Sequence, residues 1–384
     1  MKRRMGHLVF FLVLSLLSGF LSSRLSQQAV TSGWDYEDTW LVRLQGFQLV
    51  EEKEDTSLEE TGWETVRHQL IVTFLTGEHE GETFPVEAEH LSGSQLELVK
   101  GATYILVADR FDDGHTAFSL SDRFRFPHVV GSIVGMAVFL CLSSGISGTR
   151  ALLGLVLSLF LLVKVSLPLI LAGHSPLLTA IMSVGGISAL TIMLVLKKAR
   201  YWPVAFIGAV GGAIAASLLG GMSIFLWQVS GLAMEGGTLL ASIFPDLDLE
   251  GILLASVIIG SIGAVLDVAI SITSSMSELY EYDHRISASR LMKAGLNVGK
   301  DILGSMINTL ILAYFGSSLV ISLLIIESVP VAWSILNDPM ISAELIKGLA
   351  GTAGLLLTVP ITSIAGSWWI GKVISGKERE RLEQ

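Results

Sequence analysis

The sequence predicts a membrane all-α helical bundle of about seven or eight transmembrane helices, with an N-terminal extracytoplasmic domain that is a small β-barrel or sandwich. Three observations predict it. Hydrophobic residues make up 51% of the 384 and charged residues 16%, with a mean hydropathy of +0.64, whereas soluble domains carry about 25% charged residues. The apolar residues fall in long runs, and runs of about 18 or more mark membrane helices. Charge is unevenly placed: residues 26–126 hold 20 acidic and 7 basic residues, a net of −13, while the rest of the chain is +3. That acidity argues against nucleic acid as a partner.

The chain divides into four regions: 1–25, a signal anchor or signal peptide; 26–126, the β-rich domain; 127–372, the bundle; and 373–384, a cytoplasmic tail. Lys2-Arg3-Arg4 followed by an apolar stretch from His7 to Phe20 has the charged start and apolar middle of an export signal. Ser22 and Ser23 are small, but no Ala-x-Ala site comes after them, so retention and cleavage both stay open. In either case the β-rich domain is sent across the membrane. Alternation predicts strands over Trp40–Val50, Val66–Leu75, Glu82–Glu89, Ala102–Ala108 and Thr116–Phe124. Turns at Thr76-Gly77-Glu78 and Asp113-Gly114 separate some of them, and Glu51–Glu60 reads as a solvated acidic loop.

Beyond Pro127, apolar segments run over about 128–146, 150–172, 176–196, 202–227, 249–276, 301–326 and 345–371. The positive-inside rule orients them. With the N-terminus inside, the internal loops hold Arg150; Lys197, Lys198 and Arg200; Arg285, Arg290, Lys293 and Lys300; the internal tail holds Lys372, Lys377, Arg379 and Arg381. The external loops hold His174; Glu235, Asp246, Asp248 and Glu250; and Glu327, Asp338 and Glu344. Tyr201, Trp202, Trp227, Trp368 and Trp369 stand at span ends, where interfacial anchors belong.

Gly208, Gly212, Ala216 and Gly220 recur at four-residue spacing, a helix-packing stripe or a sliding surface. The stretch from Gly260 to Leu319 is the most informative. Gly260, Gly263, Asp267, Ser271, Ser274 and Glu278 share one helical face by steps of three and four, and Asn297, Asp301, Ser305 and Asn308 form a second polar stripe. At about 1.5 Å per residue, Asp267 lies roughly 14 Å and Asn308 roughly 12 Å from the cytoplasmic side, while Lys164 lies roughly 21 Å away. An ionised group at the bilayer centre costs about 2.5–3.5 kcal/mol and persists when it pairs, faces a cavity or does chemistry. Asp267 reads as a proton or ion site, a structural hydrogen-bonded carboxyl, or a partner of Lys164. Asn297 and Asn308 read as interhelical hydrogen-bonding groups or as substrate or ion contacts. Glu278, Lys300 and Asp301 are near the interface, and Lys164 reads as snorkelling or paired.

Four histidines, His68, His79, His90 and His115, lie in the β domain without metal-ligand spacing. The single cysteine, Cys141, allows no disulfide within the chain. Neither a phosphate-cradling loop nor a nucleophile elbow is present in the sequence, so no cofactor, no metal and no enzymatic activity are expected.

The runs GAVLDVAISI, from Gly263 to Ile272, and GKDILGSMINTLILAY, from Gly299 to Tyr314, resemble the YibE/F family of bacterial multi-pass membrane proteins. The resemblance extends to Pro168 and to Gly173-His174-Ser175-Pro176, and Lys300 stands where the family carries Arg. It implies a bacterial cell membrane protein. A more distant likeness to resistance-nodulation-division permeases and to SecD/SecF implies proton-driven work through the acid-bearing helix and its polar neighbour. The expected function is a permease or export-assisting protein, coupled to a proton or cation through Asp267, with Ser271, Asn297, Asp301, Asn308 and Lys164 completing the polar core. The alternative is a non-transporting envelope scaffold or sensor whose β domain binds a partner. Expected partners are the lipid bilayer, a further copy or related membrane subunit, and a small substrate or exported protein.

Overall fold

The structure, a computed structural model, describes residues 2–32, 38–53, 65–91, 98–110, 116–196, 198–328 and 332–370. It divides into two compact units, residues 1–148 and 149–384.

In the first unit, the alternating segments form β1 (Thr39–Lys53), β2 (Thr65–Phe74), β3 (Thr83–Leu91), β4 (Thr103–Arg110) and β5 (Thr116–Arg123). They close a barrel in the order β1-β2-β3-β5-β4, which settles the choice between barrel and sandwich. Every neighbouring pair is antiparallel except β3 with β5. Closure depends on β1, which pairs with β4 through residues 39–43 and with β2 through residues 42–53. Register shifts after Leu44 and Leu49 bend the strand enough to serve both. Every second residue points inward. Val42, Leu44, Leu70, Val72, Phe74, Val86, Tyr104, Leu106 and Leu120 form the barrel core. The buried Tyr104 hydroxyl accepts a hydrogen bond from the Val99 N–H at 2.8 Å. Gly77 turns between β2 and β3 with φ 84°, and Trp40 occupies the place a side chain would need. The Asp113-Gly114 turn and most of the acidic loop lie outside the described residues; β1 takes in Glu51, Glu52 and Lys53.

Helix α1 spans Lys2–Ser32, so the N-terminal segment runs past the boundary expected at residue 25. It packs on α2 (Phe126–Leu161) with backbones in close approach: a β-carbon at Gly19 would lie 2.6 Å from the Gly131 carbonyl oxygen, and one at Gly135 would lie 3.1 Å from that of Ser15. Within α2 the backbone leaves helical geometry at Gly145 (φ 59°, ψ −136°). A β-carbon at Gly148 would lie 2.6 Å from the Leu140 carbonyl oxygen, whereas eight residues of unbroken helix cover about 12 Å. The chain therefore reverses at Gly145.

The second unit is helical. A π-turn over Leu162–Ser166 leads to α3 (Leu167–Leu171), then α4 (Pro176–Val195), α5 (Trp202–Trp227), α6 (Gly237–Ile243), α7 (Leu249–Tyr282), α8 (Ala288–Ser317), α9 (Leu319–Ser328), α10 (Ala332–Leu336) and α11 (Pro339–Trp368). Helix α7 is central and packs against α4, α5, α8 and α11. The glycine stripe is a packing surface: a β-carbon at Gly208 would collide with Thr362, one at Gly212 with Thr358, and one at Gly220 would lie 3.2 Å from Leu254. Thr358 and Thr362 donate to the Gly354 and Thr358 carbonyls at 2.8 and 2.7 Å, so the hydroxyls at this contact are satisfied within α11.

Among the described residues, five helical runs are long and apolar enough to cross a membrane: Phe126–Leu171, Pro176–Val195, Ala199–Trp227, Leu249–Tyr282 and Pro339–Trp368. The segments expected at 128–146 and 150–172 both lie in the first run, which Gly145 divides. The segment expected at 301–326 is the end of α8 plus α9, parted at Ser318, and Lys300, Asp301 and Asn308 make α8 too polar to qualify by composition.

The packing and the barrel each allow a test. Gly212→Leu drives a side chain into Thr358 and Val265 and lowers stability by about 1–3 kcal/mol or more; unfolding of purified protein in detergent, beside the exposed control Leu218→Ala, measures it. In the barrel, burial holds the His68 imidazole below its usual 6.5. The unfolded chain then binds more protons, so this contribution is complete above 6.5 and is lost as pH falls through that value towards the folded pKa. Protection factors of β2 amides in the full chain, with the intrinsic pH dependence of exchange divided out, should fall between pH 7 and 5, and His68→Gln should flatten the response.

Candidate functional site

Helices α7 and α8 form an antiparallel pair joined by residues 283–287. The connection is tight because it is built from caps. The Asp283 carboxylate accepts from the Arg285 N–H at 2.9 Å, and the Ser287 hydroxyl caps α8 by accepting from the Arg290 N–H at 3.3 Å. The amphipathic basic connection expected between two separate spans is thus the first half of α8 itself. Both helices extend further towards the connection between them than the sequence suggested, so Asp267 lies deeper from its helix end.

Three glycine contacts fix the register. A β-carbon at Gly295 would lie 2.7 Å from Met276 Sδ, one at Gly299 would lie 3.1 Å from Ile272, and one at Gly260 would strike the Tyr314 hydroxyl. Counting from these contacts, Glu278 is level with Lys293, and Ser274 with Asn297. Ser271 is level with Asp301, and Asp267 with the turn holding Gly304 and Ser305. Asn308 stands about one turn further out, near Gly263. Along the helix pair Asp267 and Asn308 therefore lie about one turn apart.

Their direction differs from expectation. Leu291, Gly295, Gly299 and Leu310 on α8 are buried against α7 and α11, which turns Asn297, Asp301, Ser305 and Asn308 to the exposed side. On α7, Val265, Leu266, Val268, Ala269 and Ile272 are buried, while Gly260, Gly263, Asp267 and Glu278 are exposed and Ser271 is half-buried. The two stripes make an outward polar face, not an internal core. No hydrogen bond or ion pair joins Asp267, Asn297, Asp301 or Asn308 to another described residue. Nor does Lys164 reach Asp267: it is exposed, in the π-turn before Pro168. There Ser166 bridges to Ser183 at 2.6 Å, holding the turn on α4.

The interior holds groups that the sequence reading missed. The Tyr314 hydroxyl is buried with no hydrogen-bond partner among the described residues, sitting over Gly260 and within reach of the Glu344 charge. Glu344 and Lys347 form an ion pair on α11 with side chains only 19% and 18% exposed. Its signal was the Glu-x-x-Lys spacing, which puts opposite charges on one face, but Lys347 fell inside a segment read as apolar. Lys198 and Glu281 form a second pair, tying the chain before α5 to the end of α7. A separate cavity of about 530 Å³ is lined by Ser175, Gln228, Ser230, Asp248, Glu250 and Leu254, among others, away from both polar stripes.

The model of the YibE/F-like protein family matches residues 132–372, more than half of the chain. The chain belongs to the YibE/F-like family. The match takes in both stripes of the α7–α8 pair and begins after the barrel. No curated protein and no solved structure matches the chain. This YibE/F-like chain is a membrane protein by its apolar helices and its family together.

If Tyr314 and Gly260 are locked by direct contact, Gly260→Ala and Tyr314→Phe are coupled. Gly260→Ala should cost about 1 kcal/mol less in the Tyr314→Phe background, where the obstructing hydroxyl is gone. A double-mutant cycle on thermal unfolding measures the difference.

Proposed function

We propose that this YibE/F-like protein is a multi-pass permease or export-assisting protein in which Asp267 takes up and releases a proton or cation. The observation that carries the reading is the Asp267 carboxylate in the middle of a long apolar helix, exposed and unpaired among the described residues, beside hydroxyl and amide groups of α8. A carboxyl fixed by an ion pair or by several donors would be held in one state. One facing a polar surface is free to change its protonation as that surface opens and closes.

In this reading the spans are α1, the two arms of the Phe126–Leu171 run, α4, α5, α7, α8 with α9, and α11. The close approach of α1 to α2 through Gly19 and Gly131 favours a retained anchor over a cleaved signal. In the same reading there are eight crossings, the basic residues after α4 and in the first half of α8 are inside, the C-terminus is cytoplasmic and the barrel is outside. The barrel then receives or releases substrate, or docks a partner.

An envelope scaffold is the competing reading, favoured by the closed and fully built barrel core. Proteoliposomes separate the two. A wild-type preparation under an imposed proton or cation gradient should show flux by a lumenal dye, and Asp267→Asn, folded to the same melting temperature, should lose at least tenfold of it. Equal flux from both, or no flux above empty vesicles under either gradient, removes the permease reading.

A further inference from the structure

The α7–α8 face poses a physical problem that the described residues of the second unit do not solve. Asp267 is exposed on α7, a helix long and apolar enough to cross a membrane, and Gly304, Ser305 and Asn308 are exposed on the adjoining α8. Facing lipid, a carboxyl on α7 is unfavourable even before the amide and hydroxyls are counted. Gly263 and Gly304 add a steric feature: a β-carbon at either would meet nothing within 4 Å, so the backbone is open to close approach by another helix.

We propose that a second copy of this chain covers this face, packing α7 of one protomer on α8 of the other across a two-fold axis parallel to the membrane normal. Both copies insert with the same orientation, so a closed dimer has its axis along the normal and each residue keeps its depth across the interface. The register of the hairpin then decides what meets what. At one level Glu278 faces the partner's Lys293, opposite charges that form no ion pair within a protomer among the described residues. Above them Ser274 faces the partner's Asn297, Ser271 faces the partner's Asp301, and Asp267 faces the partner's Ser305 and lies a turn from the partner's Asn308. Glu278 with Lys293, Ser274 with Asn297 and Ser271 with Asp301 each pair an acceptor with a donor, so the surface is complementary to itself. A different subunit would have to reproduce this order, whereas a second copy supplies it by symmetry. The interface rests on membrane insertion alone and stands whether or not Asp267 couples transport.

The test uses the full-length protein with Cys141→Ser and two differently tagged copies expressed together, each with one new cysteine. Oxidation in the membrane should join Ser274→Cys to Asn297→Cys and Ser271→Cys to Asp301→Cys in mixed-tag dimers. Depth-mismatched Ser274→Cys with Asn308→Cys should give at least tenfold less product, as should Met182→Cys on the 77% exposed outer face of α4. Wild-type protein extracted into native-lipid discs provides a measurement free of substitutions: its mass should correspond to two chains of 41.2 kDa. Asp267→Leu should weaken the dimer about tenfold and Asp267→Asn less than threefold. Discs holding one chain, discs holding one chain with a different polypeptide, or matched pairs that cross-link no better than the mismatched controls would each overturn the proposal. Dimers without any flux would leave the interface standing and count against the permease reading only.

Discussion

The close approach of α5 and α11 sets the geometry of the second unit. Gly208 and Gly212 leave room for Thr362 and Thr358, and a β-carbon at Gly354 would lie 2.6 Å from that of Ala216. In a bilayer there is little hydrophobic gain in bringing two apolar helices together, so intimate contact between small residues carries more of the association than it does in water. Val265 of α7 packs into the same contact, and α8 is then seated on both α7 and α11 through Gly295 and Gly299. The direction of every polar group on α8 is set by that seat. A bulky residue at any of these glycines would lift a helix and turn its face.

The interior that results is rich in hydroxyls and poor in charge. Ser261, Thr273, Ser277, Thr358 and Thr362 are buried, and each donates to a carbonyl three or four residues back in its own helix. Such bonds satisfy the side chain locally and ask nothing of a neighbour. Charge is treated differently. Glu344 and Lys347 pair where they are partly buried, while Asp267, Asp301 and Lys164 are turned outward. Among the described residues the bundle therefore keeps unpaired charge out of its centre, and the display of Asp267 and Asp301 makes the α7–α8 face the chemically distinctive part of the membrane unit.

The barrel obeys a separate logic. Its strands have one buried face, so alternation fixed their positions to within a few residues, and the observed β2 and β5 begin and end close to the segments read from the sequence. Closure was not legible in the same way. It depends on the bends after Leu44 and Leu49 that let β1 pair with two neighbours, and a bend of that kind leaves no periodic signal. Its order of strands does not name a ligand, because function resides in a site and not in a fold.

By itself the sequence determined that this chain enters a membrane, that a β domain precedes the helices, and that Asp267, Ser271, Asn297, Asp301 and Asn308 lie on two helical stripes. These are properties of composition and of periods of 2 and 3.6 residues, which the local backbone geometry imposes wherever the segment sits. Tertiary structure alone decided that the stripes face outward, that Lys164 is not the partner of Asp267, and that Tyr314 lies buried over Gly260. It decided as well that the chain reverses at Gly145. A helical period says which residues share a face; it does not say what the face meets. That depends on which small residues on distant segments allow two backbones to come close.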